Sequence, residues 1–157
     1  MKHFMSFTYV WGAQICARLY ESEQCMRHIN LAVQRHLMDN LLFSLFNYHT
    51  SEFVAVVPVG HGKFFQIEAG IGPVASISEM VFQDRQGLLR ILPVLPGAYP
   101  EGKISGLRAR GSFEVDISWS NGWLTEAKIK SLRGKWCRVK SFRHCTGAPR
   151  YEERRES

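Results

Sequence analysis

The chain has 157 residues, of which 45% are hydrophobic and 22% are charged, and its formal net charge at pH 7 is +6. A chain of this length can bury roughly 70% of its unfolded surface in one domain or in two small ones, and the composition excludes global disorder. No segment approaches the ~20 consecutive apolar residues that a membrane-spanning helix requires, so no membrane association is expected.

Two amphipathic helices are predicted at the start of the chain. Large apolar residues recur every fourth position in the first helix, and at three- and four-residue intervals in the second, which follows Ser22 as its N-cap. The two stripes are Phe7, Trp11, Ile15 and Leu19, and Met26, Ile29, Val33 and Leu37. The short loop between the helices indicates an αα-hairpin, which on its own leaves an apolar flank exposed.

No secretory signal peptide is predicted. Polar residues interrupt the apolar stretch of residues 1–17, and no A-x-A cleavage site follows it. The cellular compartment is therefore not predicted.

The middle of the chain combines strand and helix patterns. Four apolar residues near position 43 predict one or two further helical turns, and the β-branched run at 53–59 predicts a strand. These four are Leu41, Leu42, Leu45 and Phe46. Residues 65–71 predict an extended run closed by a glycine turn, and a helix then follows with Pro73 at its first position and Gly87 after its end. Pro93 limits residues 88–95 to a short strand or an edge strand, because proline cannot donate to a sheet.

The chain after Gly87 has a β pattern. Apolar residues alternate with polar ones on both sides of Asn121-Gly122, a dipeptide that tolerates the positive φ angles of a tight turn, so a hairpin is predicted. The alternating residues are Phe113, Val115, Ile117 and Trp119 before the turn, and Thr125, Ala127 and Ile129 after it. Residues 136–142 predict one more strand, and the charged residues that follow predict a tail that frays.

Three consecutive segments resemble one known family. FQIEAGIG is followed by a helix containing ISEMVFQ and then by GLLRILPVLPGAYPEGKISGLRARGSFEVDISWSNGWL. These segments are similar to the C-terminal end of glycoside hydrolase family 95, the bacterial α-L-fucosidases and related α-L-galactosidases. The family's matching segments are close to HPPFQIDGNFG, IAEMLLQS, LLPALP, WPEG and GLRARGGFEVD. The resemblance spans roughly residues 9–140, and LRARGSFEVDISW is its most specific part.

The resemblance implies an α+β fold in which the terminal helices of an (α/α)6 barrel precede a small antiparallel β-sandwich domain. Residues 1–87 would be a helical remnant of the catalytic barrel, residues 88–142 the antiparallel β domain, and residues 143–157 a charged flexible tail. The family's catalytic domain has several hundred residues, so a truncated or remnant form is predicted, and no cofactor is expected. Family members are often exported.

The resemblance also implies where catalytic residues would lie. Inverting glycosidases hold an acid and a base about 6.5–9.5 Å apart on opposite sides of the sugar. Glu68 occupies the position of an aspartate in the family's base machinery, and His61, a candidate substrate contact, is one residue out of register with a family histidine. Glu68 is longer by one methylene, and Gly70 replaces the family's asparagine. The matching acid would lie outside this chain, so the isolated chain is predicted to be inactive.

Other functions remain open. The chain is alternatively a carbohydrate-binding or scaffold module for a fucosylated glycan. Trp119, Trp123 and Trp136 are candidates for a sugar-stacking platform, but packing in the core or at the edge of the sandwich is the favoured interpretation, because Trp119 alternates with apolar neighbours. Exposed helix flanks predict association with a second copy or with another chain. The basic residues between 128 and 143 predict a solvated face in preference to a nucleic-acid surface, since no nucleic-acid-binding motif accompanies them.

The cysteines are predicted to be free thiols. C-x-x-C spacing is absent among Cys16, Cys25, Cys137 and Cys145, and a chain of this size does not need disulfides to fold. The weaker alternative is a zinc site in which Cys137, His144 and Cys145 join a distant fourth ligand.

Overall fold

The structure, a computed structural model, describes residues 5–47, 64–145 and 147–154, and it describes side chains as far as Phe142. The chain divides into two compact units, Met1–Ile77 and Ser78–Ser157. Three α-helices and seven β-strands lie within the described residues, which confirms the α+β class. The derivation of the helices from a barrel stays a prediction. Among the helices described, none has the length and apolar character to cross a bilayer.

The first unit contains the predicted αα-hairpin. Helix α1 spans Ser6–Arg18 and helix α2 spans Ser22–His36. Ala13, Ala17 and Ala32 are fully buried, and such small side chains let two helix axes approach closely. The core of this unit comprises Tyr9, Val10, Ala32, Phe43 and Ala69.

Helix α1 does not bury its predicted apolar stripe. Phe7, Trp11, Ile15 and Leu19 are all exposed, while Tyr9, Val10, Ala13 and Ala17 are buried. The hairpin contact selects the face with small residues, because bulky side chains there would hold the helices apart. The large apolar residues of α1 therefore form an exposed flank.

Helix α3 spans Ile67–Val81, so it begins before Pro73 and ends well before Gly87. The predicted extended run at 65–71 is reduced to an isolated bridge between Ser44 and Phe65. A close contact with α1 explains why Gly72 lies inside this helix, because a Cβ at this position would be 1.9 Å from Val10 Cγ1. Gly72 therefore serves helix packing rather than a turn. The predicted strand at 53–59 lies outside the described residues.

The second unit contains two sheets. Strands β1 (Phe82–Arg85) and β2 (Leu88–Ile91) are joined by a two-residue turn in which Gln86 and Gly87 both have positive φ, the geometry of a type I′ hairpin. Gly87 thus belongs to a hairpin and not to a helix end. The remaining strands are β3 (Gly102–Ala109), β4 (Phe113–Ser120), β5 (Trp123–Ser131), β6 (Arg138–Cys145) and β7 (Gly147–Arg154).

The β4–β5 hairpin is confirmed. The two strands pair from Phe113↔Ser131 to Ser120↔Trp123, and both Asn121 and Gly122 have positive φ at the turn. Strand β3 pairs with β4 on the other side, which gives an antiparallel three-stranded sheet. Strand β2 is short, as Pro93 requires.

Both sheets of the second unit share one hydrophobic core, as in a small sandwich. Its buried members come from the end of α3, from β1, from β2 and the residue directly after it, and from β4. They are Val81, Phe82, Leu89, Ile91, Leu92, Val115 and Ile117.

Two features of the second sheet differ from the prediction. Its order is β1-β2-β6-β7, and β2 runs parallel to β6, so the domain is not purely antiparallel. Strands β3–β5 form the long crossover that a parallel pair requires. Residues 147–154, for which a flexible tail was expected, form β7 at the sheet edge, where Pro149 withdraws no donor from a central ladder.

Candidate functional site

The candidate site residue Glu68 lies where α3 begins, and backbone contacts position this segment. The amide of Leu45 donates to the carbonyl of Phe64 at 2.6 Å, and the amide of Gln66 donates to the carbonyl of Phe43 at 2.8 Å. The side-chain oxygen of Gln66 then accepts hydrogen bonds from Ser6 Oγ and from the Phe7 amide. Gln66 thereby caps α1, whose own N-cap Met5 has no side-chain acceptor.

Glu68 itself is exposed in the first turn of α3. A carboxylate at that position interacts favourably with the helix macrodipole, which explains it without catalysis. The other acidic residues described in the first unit, Glu21, Glu23 and Asp39, are exposed as well. A general acid is normally kept protonated by an apolar pocket. Among the described residues of the first unit, no buried carboxyl group offers that environment. His61 lies outside the described residues.

A buried polar cluster in the αα-hairpin was missed by sequence reasoning. The Tyr9 ring lies 5.6 Å from the His36 ring and 6.3 Å from the His28 ring, between centroids. An Arg35 Nη1–H donates to the Tyr9 hydroxyl. His36 is 0% exposed, and within the described residues neither of its ring nitrogens makes a well-aligned hydrogen bond. The only sequence signal is that both histidines are on the α2 face that carries Cys25 and Ala32.

Burial lowers the pKa of His36, an effect that the carbonyls of Phe46 and Ser44 partly oppose and the Arg35 charge reinforces. Burial also lowers the pKa of His28, as does the charge of Arg27. Both imidazoles are therefore neutral in the folded protein at pH 7. The buried His36 and the half-buried His28 pack the hairpin, and protonation of His36 would place an unpaired charge in its core.

Acid is expected to destabilise the first unit. The pKa of an imidazole in the unfolded chain is about 6.5, and the folded pKa is lower, so the unfolded state binds more protons below pH 6.5. The contribution of the neutral histidines to the free energy of unfolding has its full value above pH 6.5. Below that pH the free energy of unfolding falls by at most about 1.4 kcal/mol per pH unit for each histidine. Denaturant unfolding at pH 7.5 and pH 5.5 measures this loss. The difference in the free energy of unfolding between the two pH values should be smaller in His36→Gln. Equal stability of the parent chain at both pH values would contradict the prediction.

The tryptophans of the second unit do not form one platform. Trp119 is half-buried: its Nε1–H donates to the Tyr99 carbonyl at 3.0 Å, and its ring covers Gly102, whose Cβ would be 2.1 Å from it. Trp123 opens β5, whereas Trp136 follows the other end of that strand. Trp136 is 82% exposed. Trp119 is therefore a packing residue, and Trp136 is the most exposed tryptophan of the second unit.

The basic residues of β3 and β5 are balanced by acidic residues of β4. Glu114 lies opposite Arg108 and Lys130, and Asp116 lies opposite Lys128. Arg108 and Glu114 form an ion pair at 3.0 Å. Lys128 pairs with Glu126 at 3.4 Å. The described surface of β3–β5 therefore carries charges of both signs.

The cysteines described are free thiols, namely Cys16, Cys25 and Cys137. Burial raises the pKa of Cys25 to about 12, and the neighbouring Cys16 adds to this. Such a thiol is not a nucleophile at neutral pH. In the described part of the chain, no group of three or more His, Cys, Asp or Glu side chains could hold a metal ion. The side chains of His144 and Cys145 lie outside that part, so the zinc alternative is untested.

Comparison with known proteins gives two matches. Residues 83–155 match the model of the glycoside hydrolase family 95 C-terminal domain. The chain is also 35% identical over 122 residues to Alpha-L-fucosidase 2 of Arabidopsis thaliana, a match that covers 74% of this chain and 13% of that protein. The chain thus spans a small part of the length of this relative.

Proposed function

Through residues 83–155 this chain belongs to glycoside hydrolase family 95, and we propose that it provides the C-terminal part of an α-L-fucosidase-like hydrolase. The observation that carries this proposal is the combination of the domain match with 35% identity to a protein named as an α-L-fucosidase. The proposed role of residues 83–155 is structural, since their two sheets share a packed core. Catalysis would depend on a general acid, which the described residues of the first unit do not offer as a buried carboxyl group.

The proposal extends to the isolated chain, which would have no hydrolase activity. Glycoside hydrolysis by inversion requires two carboxyl groups held across the sugar, one of them protonated. Glu68 is the carboxylate at the position of the family's catalytic aspartate, and it is exposed rather than enclosed in an apolar pocket. A reacting group displaced by about 1 Å can lose ~100-fold in rate, and the extra methylene of Glu68 is of that size.

A chimera tests the proposed role. The stretch of Alpha-L-fucosidase 2 that aligns with residues 83–155 is replaced by those residues, and hydrolysis of an aryl α-L-fucoside is measured. We expect the chimera to hydrolyse the substrate, whereas the same protein with the stretch deleted should not. A chimera that is soluble and melts cooperatively but is as inactive as the deletion would refute the proposal.

One observation favours carbohydrate binding as a second candidate function. Trp136 exposes 82% of its surface between Lys135 and Cys137, and an exposed indole ring is a typical stacking surface for sugars. Titration with a panel of fucosylated glycans, followed by tryptophan fluorescence, tests this candidate with Trp136→Ala as the control. A response that is the same in both proteins, or absent in both, would count against it.

A further inference from the structure

The first unit presents two exposed apolar stripes on neighbouring helices. On α1 the stripe is Phe7, Trp11, Ile15 and Leu19, with Trp11 57% exposed. On α3 it is Ile67, Ile71, Val74 and Ile77, with Ile71 66% exposed. Both stripes follow the rows of residues three and four apart that form the ridges of a helix surface.

The area of the two stripes is that of a protein interface. From the exposed fractions, and with about 150–250 Å² for a fully exposed large apolar side chain, the eight residues present roughly 800 Å². A standard interface buries about 800 Å² on each partner. The largest apolar patch of a typical monomer is about 300–600 Å². The two stripes together therefore expose about as much apolar area as one side of a standard interface.

The charges that flank the stripes are few and opposite in sign. Helix α1 carries no charged residue before Arg18 in its last turn. Helix α3 carries Glu68 in its first turn and no other charge until Glu79. If α1 lies antiparallel to an α3 helix, Arg18 reaches Glu68 while Ile15 reaches Ile71 and Trp11 reaches Val74. Opposed helix macrodipoles favour the same direction.

We propose that two copies of this chain associate as a two-fold symmetric dimer, in which α1 of each copy packs antiparallel on α3 of the other. This arrangement is isologous, since each copy contributes one α1 stripe and one α3 stripe, and it closes without leaving a free stripe. Trp11 is at the centre of the α1 stripe and is the anchor of the interface. The inference uses only the surface of the first unit, and its test measures association of this chain rather than hydrolysis.

Sedimentation equilibrium of the full chain tests the dimer. We expect a dimer at about 100 μM, because interfaces of this area have dissociation constants from micromolar downward. Trp11→Glu should raise the dissociation constant by at least about 30-fold, since it places a charge at a central anchor. Trp136→Glu is the matched control: it makes the same substitution at an exposed tryptophan outside the stripes, and it should leave the dimer unchanged.

A charge exchange tests the orientation of the helices. Arg18→Glu should weaken the dimer by placing two carboxylates together, and the double variant Arg18→Glu with Glu68→Arg should restore it. Far-UV circular dichroism establishes that each variant is folded. A monomeric parent chain at about 100 μM, or a dimer that Trp11→Glu leaves intact, would overturn the proposal. A dimer broken by Trp11→Glu but not restored by the double variant would overturn the antiparallel pairing.

Discussion

Gly72→Val is expected to destabilise the first unit by about 3 kcal/mol. A Cβ at this position would be 1.9 Å from Cγ1 and 3.2 Å from Cβ of Val10, which is itself buried. Val10 is branched at Cβ and has no flexible end to move aside, so α3 must shift away from α1. The free energy of unfolding, measured by denaturant titration with far-UV circular dichroism, gives the size of the loss.

Gly70→Val provides the matched control for this prediction. It lies in the same helix, yet a Cβ at Gly70 meets nothing within 4 Å. Its effect on the free energy of unfolding should stay within about 0.5 kcal/mol, since valine has a better helix propensity than glycine. Adding Val10→Ala to Gly72→Val should recover part of the lost stability. Equal stability of the Gly72 and Gly70 variants would show that the close helix contact is wrong.

Ile117→Ala is expected to destabilise the second unit by about 3 kcal/mol. Ile117 is 0% exposed, and it lies between Ile104 on β3 and Ala127 on β5 in the shared core of the two sheets. The paired strands on both sides prevent the sheet from closing over the cavity that the truncation leaves. Denaturant unfolding followed by tryptophan fluorescence measures the change, because Trp119 is on the same strand.

Ile104→Ala removes the same atoms from the half-buried position directly opposite. Less apolar surface is returned to water there, so its cost should be about half that of Ile117→Ala. Equal costs at the two positions would indicate that the core does not lie between the two sheets as described.

The hairpins illustrate what local sequence determines. The tight turn at Asn121-Gly122 has positive φ at both residues, and the alternation on either side predicts which residues face the core. The hairpin therefore followed from the sequence, whereas the register shift between Ser118 and Trp119 did not. The parallel pairing of β2 with β6 did not follow, because alternation specifies faces but not a partner distant in the chain. Strand β7 was not predicted for the same reason, since its residues form a strand by pairing with β6.

The helices show why the candidate site was harder to predict. A period of four residues identified α1. Which face of α1 is buried, the bulky one or the one with small residues, depends on the helices that pack against it, and Ala32 on α2 and Gly72 on α3 permit the close contact. The family resemblance located Glu68 in the sequence, yet only the structure places it on the first turn of a helix, exposed. The buried His36 left no signal beyond its position on α2. Glycines and alanines that permit close contact are inconspicuous in a pattern of large apolar residues.

The most direct measurement is hydrolysis of an aryl α-L-fucoside by the purified 157-residue chain. Inversion needs two carboxyl groups, and among the described residues of the first unit no buried carboxyl group accompanies the exposed Glu68. We therefore expect the rate to equal that of buffer alone, and Glu68→Gln to change nothing. Turnover above the buffer rate that disappears in Glu68→Gln would contradict this, because it would require the chain to build a complete catalytic site around that carboxylate.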